Sequence, residues 1–355
     1  MSLQSKAASV SFEGVSKAFG EVVAVRDISF TIEPGRLVTL LGPSGCGKTT
    51  TLRLIAGLEL ATSGRILIGG HDVTTLPATE RDVSMVFQSY ALFPHMTVQE
   101  NVAYGLVVSG RPKTEARDRA EEGLALVGLE GFGARLPSEL SGGQQQRVAV
   151  ARALVLEPEV ILFDEPLSNL DAKLRRQVRE EIRDLQQKLG LTSIYVTHDQ
   201  GEALAVSDRI IVMNNAVIAQ EATPRELYDQ PLDLFVADFI GDANLITAEI
   251  TAVDGEFATV RIGPIERQLL HRDLDPGPAH VALRPECIEL AAERLPETIE
   301  GSVSKATYLG SHIEYTITTA LGELFVIDHQ VERSLPSGST VSVLLGERGV
   351  TLVRS

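Results

Sequence analysis

The sequence predicts an α/β domain on a mostly parallel sheet, carrying an inserted helical lobe and followed by a small all-β domain. Three observations carry that expectation. Near-continuous apolar runs, "LVTLLG" (Leu37 to Gly42), "VILFD" (Val160 to Asp164) and "SIYVTH" (Ser193 to His198), suit parallel strands buried on both faces. From about Tyr90 to Leu156 helical patterns continue without a strand run. After "DFIGDANLI" (Asp238 to Ile246) short strand candidates follow one another, separated by Gly, Pro and Asp.

A chain of 355 residues exceeds the usual size of one core, so the expected division is residues 8–240, with a helical lobe at about 90–156, and residues 241–355. Within the first part, Asp171 to Leu189 sets Leu174, Val178, Ile182, Leu185 and Leu189 on one helical stripe. Asp171 is the expected N-cap and Gly190 the expected stop. In the second part "FATVRIG", "HVALRPE", "EYTITTA" and "TVSVLLG" are the strand candidates of a barrel or sandwich.

Composition narrows the function. The formal net charge is −16 and the sequence pI about 4.9, which argues against a nucleic-acid partner. From Gly241 to Ser355 there are 9 Lys/Arg against 17 Asp/Glu, so phosphate binding there is disfavoured as well. No apolar stretch approaches the roughly 18–20 residues that span a bilayer. The start "MSLQSKAASVSFEG" lacks the apolar core of a secretory signal. Cys46 and Cys287 lie far apart, so disulfide stapling is not expected and a reducing cytoplasm suits the chain.

Two Gly-rich loops carry the chemistry. "GPSGCGKTT" (Gly42 to Thr50) fits G-x-x-x-x-G-K-[ST] after a strand and before a helix from Lys48 to Gly57. Its glycines let backbone N–H groups face phosphate oxygens, Lys48 reaches the β/γ-phosphates, and the Thr49 hydroxyl suits Mg²⁺. This pattern implies a bound nucleoside triphosphate. "VILFDEP" adds Asp164 at a strand end for the metal's water shell, and Glu165 to orient or deprotonate water. His198 ends a third strand, where its imidazole can meet phosphate or Glu165. The second loop, "LSGGQQQR" (Leu140 to Arg147), reads as a helix start capped by Ser141, whose Gly142 and Gly143 leave amides open to an anion. A capped helix with a polar run is its bland reading. Two chains arranged head to tail would give it a role, closing over the γ-phosphate held by the other copy.

These motifs resemble, in order, those of the ATPase subunits of ATP-binding-cassette transporters. "GPSGCGKTT" matches the Walker A loop, "MVFQSYALFPHMTVQENV" the Q-loop with Gln88, "LSGGQQQR" the signature, "VILFDEP" the Walker B strand, "SNLD" (Ser168 to Asp171) the D-loop, and His198 the switch histidine. "KAFGEVVAV" sets Phe19 where the family stacks an aromatic on adenine. The resemblance implies a P-loop NTPase cassette with a helical subdomain. It implies catalysis by Glu165, His198, Gln88 and Lys48, and Mg²⁺ at Thr49, Gln88 and Asp164. It also implies ATP held by Phe19, Val25, Gly42, Pro43, Ser44, Gly45, Cys46, Gly47, Lys48, Thr49, Thr50 and Gln88, with Ser141, Gly142, Gly143, Gln144 and Asp171 acting across a dimer.

The tail, through "FIGDANLI", "ALRPE" and "ATYLGSHIEYTI", resembles the transport-associated OB-type (TOBE) domain of importer ATPases for sugars, polyamines, ferric iron and phosphonates. The two resemblances together imply a homodimer that drives solute uptake from the cytoplasmic face of the inner membrane, as a peripheral subunit. Its expected partners are two integral-membrane permease subunits and, indirectly, a periplasmic solute-binding protein. "FVADFIGDANLI" and "EALAVSDRIIVMN" favour ferric iron, polyamine or phosphonate over sugar as the solute. A sugar importer is the alternative, and a non-transport cassette ATPase or an exporter subunit stands further off.

Overall fold

The computed structural model describes residues 6–354, which form two compact units meeting at Pro224 and Arg225. The first unit runs β1 (Val10–Phe19), β2 (Val22–Ile32), β3 (Leu37–Leu41), α1 (Lys48–Ala56), β4 (Ser63–Ile68), β5 (His71–Asp72), β6 (Val83–Val86), α2 (Val98–Val108), α3 (Lys113–Leu126) and α4 (Gly142–Leu154). It continues with β7 (Val160–Asp164), α5 (Ala172–Leu189), β8 (Thr192–Thr197), α6 (Gln200–Val206), β9 (Arg209–Asn214) and β10 (Val217–Ala222).

The central sheet has the order β10-β9-β3-β8-β7-β6 and is parallel except for the edge hairpin strand β10. Strands β3, β7 and β8 are the three apolar runs read from the sequence, and nearly every residue in them is buried. Their register pairs Leu41 with Thr197 and Asp164 with Val196, so all three C-terminal ends reach one edge of the sheet. In open parallel sheets that edge is where ligands bind.

A second sheet, β2-β1-β4-β5, is antiparallel and was not anticipated. Its inner residues Val10, Phe12, Ile32 and Ile66 share one core with Leu40 of β3 and Leu52 and Ile55 of α1. The helical lobe is α2, α3 and α4, closed on Val98, Val102, Ala120, Leu124, Val148 and Ala151. Thr97 starts α2 through a reciprocal bond pair with Glu100, a capping box. Helix α5 begins at the Asp171 cap and stops at Gly190 (φ 62°), burying Val178 and Ile182 on the expected stripe.

The second unit comprises α7 (Pro224–Asp229), α8 (Leu234–Phe239), β11 (Asn244–Asp254), β12 (Phe257–Ile262), β13 (Ile265–Leu270), β14 (Gly277–Leu283), β15 (Ile288–Ala291), β16 (Ile299–Tyr308), β17 (Ile313–Thr319), β18 (Gly322–Asp328), β19 (Thr340–Leu345) and β20 (Val350–Val353). Two five-stranded antiparallel sheets, β13-β12-β11-β14-β20 and β15-β19-β16-β17-β18, share a core that includes Ile246, Val281, Val303, Ile317 and Val343. This is the barrel-like all-β part expected of the tail.

The division expected near residue 241 falls inside this unit. Ala237 of α8 packs with Ala243, Ala282 and Val353. The buried Arg284 guanidinium donates to the carbonyls of Tyr228, Ala237 and Ile240, satisfying the ends of both short helices. Texture in the sequence marks the first strand, whereas packing ties the two preceding helices to the barrel.

Candidate functional site

The loop between β3 and α1 is wound around a charge. Lys48 is 6% exposed, and its Nζ donates to the carbonyls of Gly42 (2.7 Å) and Pro43 (2.8 Å). No carboxylate pairs with it among the described residues, so a buried ammonium is satisfied in hydrogen bonds but not in charge. Gly47 precedes it at φ 109°, and a Cβ there would sit 2.5 Å from the Ala24 carbonyl oxygen. Glycine is therefore required for the loop to close against β2. No side chain caps α1 and no acid lies in its first turn, so its amides and dipole face outward for an anion. Val25 is buried beside Gly47, Cys46 is buried within the loop, and Pro43, Ser44, Gly45, Thr49 and Thr50 are at least partly exposed.

At the end of β7 the Asp164 carboxylate lies near the Thr49 hydroxyl, bringing together two hard oxygen donors of the kind a Mg²⁺ ion favours. Burial pushes the Asp164 pKa up, and the Glu165 charge adds to the rise, with Arg53 and Thr49 opposing. Glu165 turns the chain with a left-handed backbone, φ 44°, which is uncommon outside glycine. Its N–H is held by the Val196 carbonyl at 3.0 Å, and its Oε2 lies 3.3 Å from His198 Nδ1. Three strand ends thus bring Lys48, Asp164, Glu165 and His198 to the same edge of the sheet.

Gln88 is engaged on both its side chain and its backbone. Its Nε2 donates to Ser168 Oγ (3.1 Å), and its carbonyl accepts from Asn169 Nδ2 (3.0 Å). Ser168 donates in turn to the Glu165 carbonyl (3.1 Å). Just beyond, Tyr90 and Ala91 both take positive φ, and Arg152 on α4 holds their carbonyls at 2.7 Å each. Sequence reading missed Arg152, since its task depends on two left-handed residues that nothing in the local sequence announces.

Ser141 caps α4 in a capping box: its Oγ accepts from Gln144 N and its N–H donates to Gln144 Oε1. Gly143 is buried against α5, where a Cβ would meet Leu174 Cδ1 at 2.9 Å. Among the described residues, no hydrogen bond or ion pair joins Ser141–Gln144 to Gly42–Thr50. Asp171 is exposed and caps α5 through Leu174 N. Phe19 ends β1 at 47% exposure with Lys17 Nζ 4.6 Å from its ring centroid.

The family model for ABC transporters matches residues 25–168, and that for the TOBE domain matches residues 281–352. The chain is 62% identical over 345 residues to the Fe(3+) ions import ATP-binding protein FbpC 1 of Rhizobium meliloti, covering 97% of this chain and 98% of that protein. It is 61% identical over 345 residues to the FbpC of Brucella abortus, with 97% and 98% covered. A dimeric ATP-binding cassette solved in a post-hydrolysis state with ADP and Pi aligns with TM-score 0.54 and 34% identity, over 61% of this chain and 99% of that one. With these matches spanning both units, the chain belongs to the ABC transporter family, as an ATPase subunit whose cassette is followed by a TOBE domain.

Proposed function

We propose that two copies of this chain bind two ATP molecules head to tail, hydrolyse them, and drive ferric-iron import through a separate pair of membrane subunits. The observation that carries the reading is the buried, charge-unpaired Lys48 facing the same sheet edge as Asp164, Glu165 and His198. Lys48 and the α1 amides would bind the β- and γ-phosphates, and Phe19 and Val25 would flank the base. Thr49 and Asp164 would hold a Mg²⁺ ion, joined by Gln88 once it leaves Ser168. That ion would supply charge neutralisation at the transferring phosphoryl group. Glu165 would accept a proton from the attacking water, and His198 would orient Glu165 and the γ-phosphate.

Ser141, Gly142, Gly143 and Gln144 have no partner in the nucleotide loop of their own chain, which supports their use by a second copy together with Asp171. The aligned dimeric cassette is a precedent for that arrangement. A cavity of about 440 Å³ beside Gln88, lined by Phe87, Phe93, Tyr104, Arg152 and Leu156, offers an apolar seat for a membrane subunit. Among the described residues no helix is long and apolar enough to cross a membrane, so attachment at the cytoplasmic face would come through that seat. The solute follows from relatives named as Fe(3+) importers across almost the whole chain.

The test is reconstitution of the chain with its membrane subunits in proteoliposomes. Iron-loaded binding protein should stimulate ATP hydrolysis. Stimulation by a sugar-, polyamine- or phosphonate-loaded binding protein, with none from the iron form, would replace the solute.

A further inference from the structure

The second unit is acidic, yet four of its arginines, Arg225, Arg272, Arg284 and Arg348, line one cavity of about 410 Å³. Asp229 is the single carboxylate in that lining, and it pairs with Arg225. Arg284 is 2% exposed and gives its donors to the carbonyls of Tyr228, Ala237 and Ile240. Arg272 likewise donates to the carbonyls of Gln230, Pro231 and Leu352. Neither has a carboxylate in salt-bridge contact among the described residues. Carbonyl dipoles take the donors of both, the Tyr228 ring lies 4.2 Å from the Arg284 guanidinium with the Glu286 and Asp229 charges near enough to be felt, and burial lowers both pKa values. Arg348 is exposed and has no hydrogen-bond or ion-pair partner among the described residues. The same lining includes apolar side chains, with Phe257 and Leu270 each nearly half exposed. A cavity of this size, lined by cations and by exposed apolar side chains, has the composition of a small-molecule pocket.

We propose that this cavity binds an organic dianion, a phosphate monoester or like group attached to an apolar body. The head group would lie among the guanidiniums, with Arg348 and Arg225 closing on it from the rim. The body would cover Phe257 and Leu270. A negative total over a domain is compatible with a local field of the other sign, so the proposal runs against what net charge alone leads one to expect.

The full chain is tested with its cassette filled by a non-hydrolysable ATP analogue and Mg²⁺, so that the γ-phosphate position is occupied and the probe cannot report from the nucleotide loop. Phenyl phosphate is titrated by calorimetry, with inorganic phosphate and benzyl alcohol as probes lacking the body or the charge. Phenyl phosphate should saturate one site per chain, inorganic phosphate should bind about tenfold more weakly or worse, and benzyl alcohol should not saturate. Arg225→Gln with Arg348→Gln should cut phenyl phosphate affinity about tenfold or more, as loss of charged hydrogen bonds does, with basal hydrolysis unchanged. Absence of saturable phenyl phosphate binding, or equal affinity in the double variant, would overturn the proposal. Equal binding of inorganic phosphate would overturn the organic part of it.

Discussion

Glu165 Oε2 and His198 Nδ1 lie 3.3 Å apart at the ends of two adjacent parallel strands, although 33 positions separate them in the chain. The contact sets one side chain that can take a proton against another that can fix where it points.

Glu165→Gln keeps the size and hydrogen bonding at that position and removes the charge. ATP hydrolysis should fall by about 10²-fold or more, the usual loss for an acid–base group. The variant should form a dimer with ATP and not with ADP, read by size-exclusion chromatography with light scattering. A variant that stays monomeric with ATP would remove the head-to-tail site.

Lys48→Ala deletes the one cation of the nucleotide loop. Binding of ATP should weaken by about 2–3 kcal/mol, the range for hydrogen bonds to a charged group. Calorimetric titration checks it, and a loss under threefold would mean that the α1 amides carry the phosphates without Lys48.

The raised pKa of Asp164 has a consequence for stability. A carboxyl that holds its proton more tightly when folded stabilises the native chain at low pH, and that contribution is lost as pH rises through the folded pKa. Asp164→Asn keeps the size of the side chain and never carries the charge. The nucleotide-free variant should therefore melt higher than the parent at pH 7, with the gap closing as pH falls. Glu202 is raised by burial too, but it contributes equally to both proteins and cancels in the difference. A gap that is constant or widens in acid would show that the Asp164 charge is not the cause.

Gly143→Ala separates packing from ligand binding at the second loop. The added Cβ meets Leu174 Cδ1 at 2.9 Å, the flexible end of a partly buried side chain, so the substitution should destabilise the chain by no more than about 1 kcal/mol, the low end of overpacking. Leu174→Ala in the same chain should restore most of that, measured by denaturant unfolding. No recovery would mean that the glycine serves something other than the α4–α5 contact.

Truncation reads the unit boundary. A chain ending at Pro224 should stay soluble and bind ATP. One ending at Ile240 retains α7 and α8 without the barrel residues that Ala237 packs on and without Arg284, so it should aggregate at lower temperature. Equal behaviour of the two would return the boundary to residue 241.

Strands β3, β7 and β8 were legible because burial on both faces leaves runs of apolar residues, and α5 because its stripe has caps at both ends. Sheet β2-β1-β4-β5 was not, since its half-buried strands are irregular, with register shifts between Phe12 and Ala18. At the site, Lys48, Asp164, Glu165 and His198 announce themselves by residue type at strand ends. Ser168 appeared only as part of a motif, and Arg152 not at all, because their roles are bonds to backbone carbonyls that only the fold brings within reach. The arginine cavity was hidden for a similar reason: its members come from residue 225 through residue 348 and meet only in the fold.

The Ser168 hydroxyl gives its proton to the Glu165 carbonyl and receives one from the Gln88 amide. These two bonds use different parts of the same oxygen, so breaking one does not break the other. Were Gln88 to swing away, Ser168 would lose a donor while keeping its hold on the strained turn at Glu165. The hydroxyl therefore insulates as well as connects. A partner that drew Gln88 away would leave the turn carrying the carboxylate anchored through Ser168.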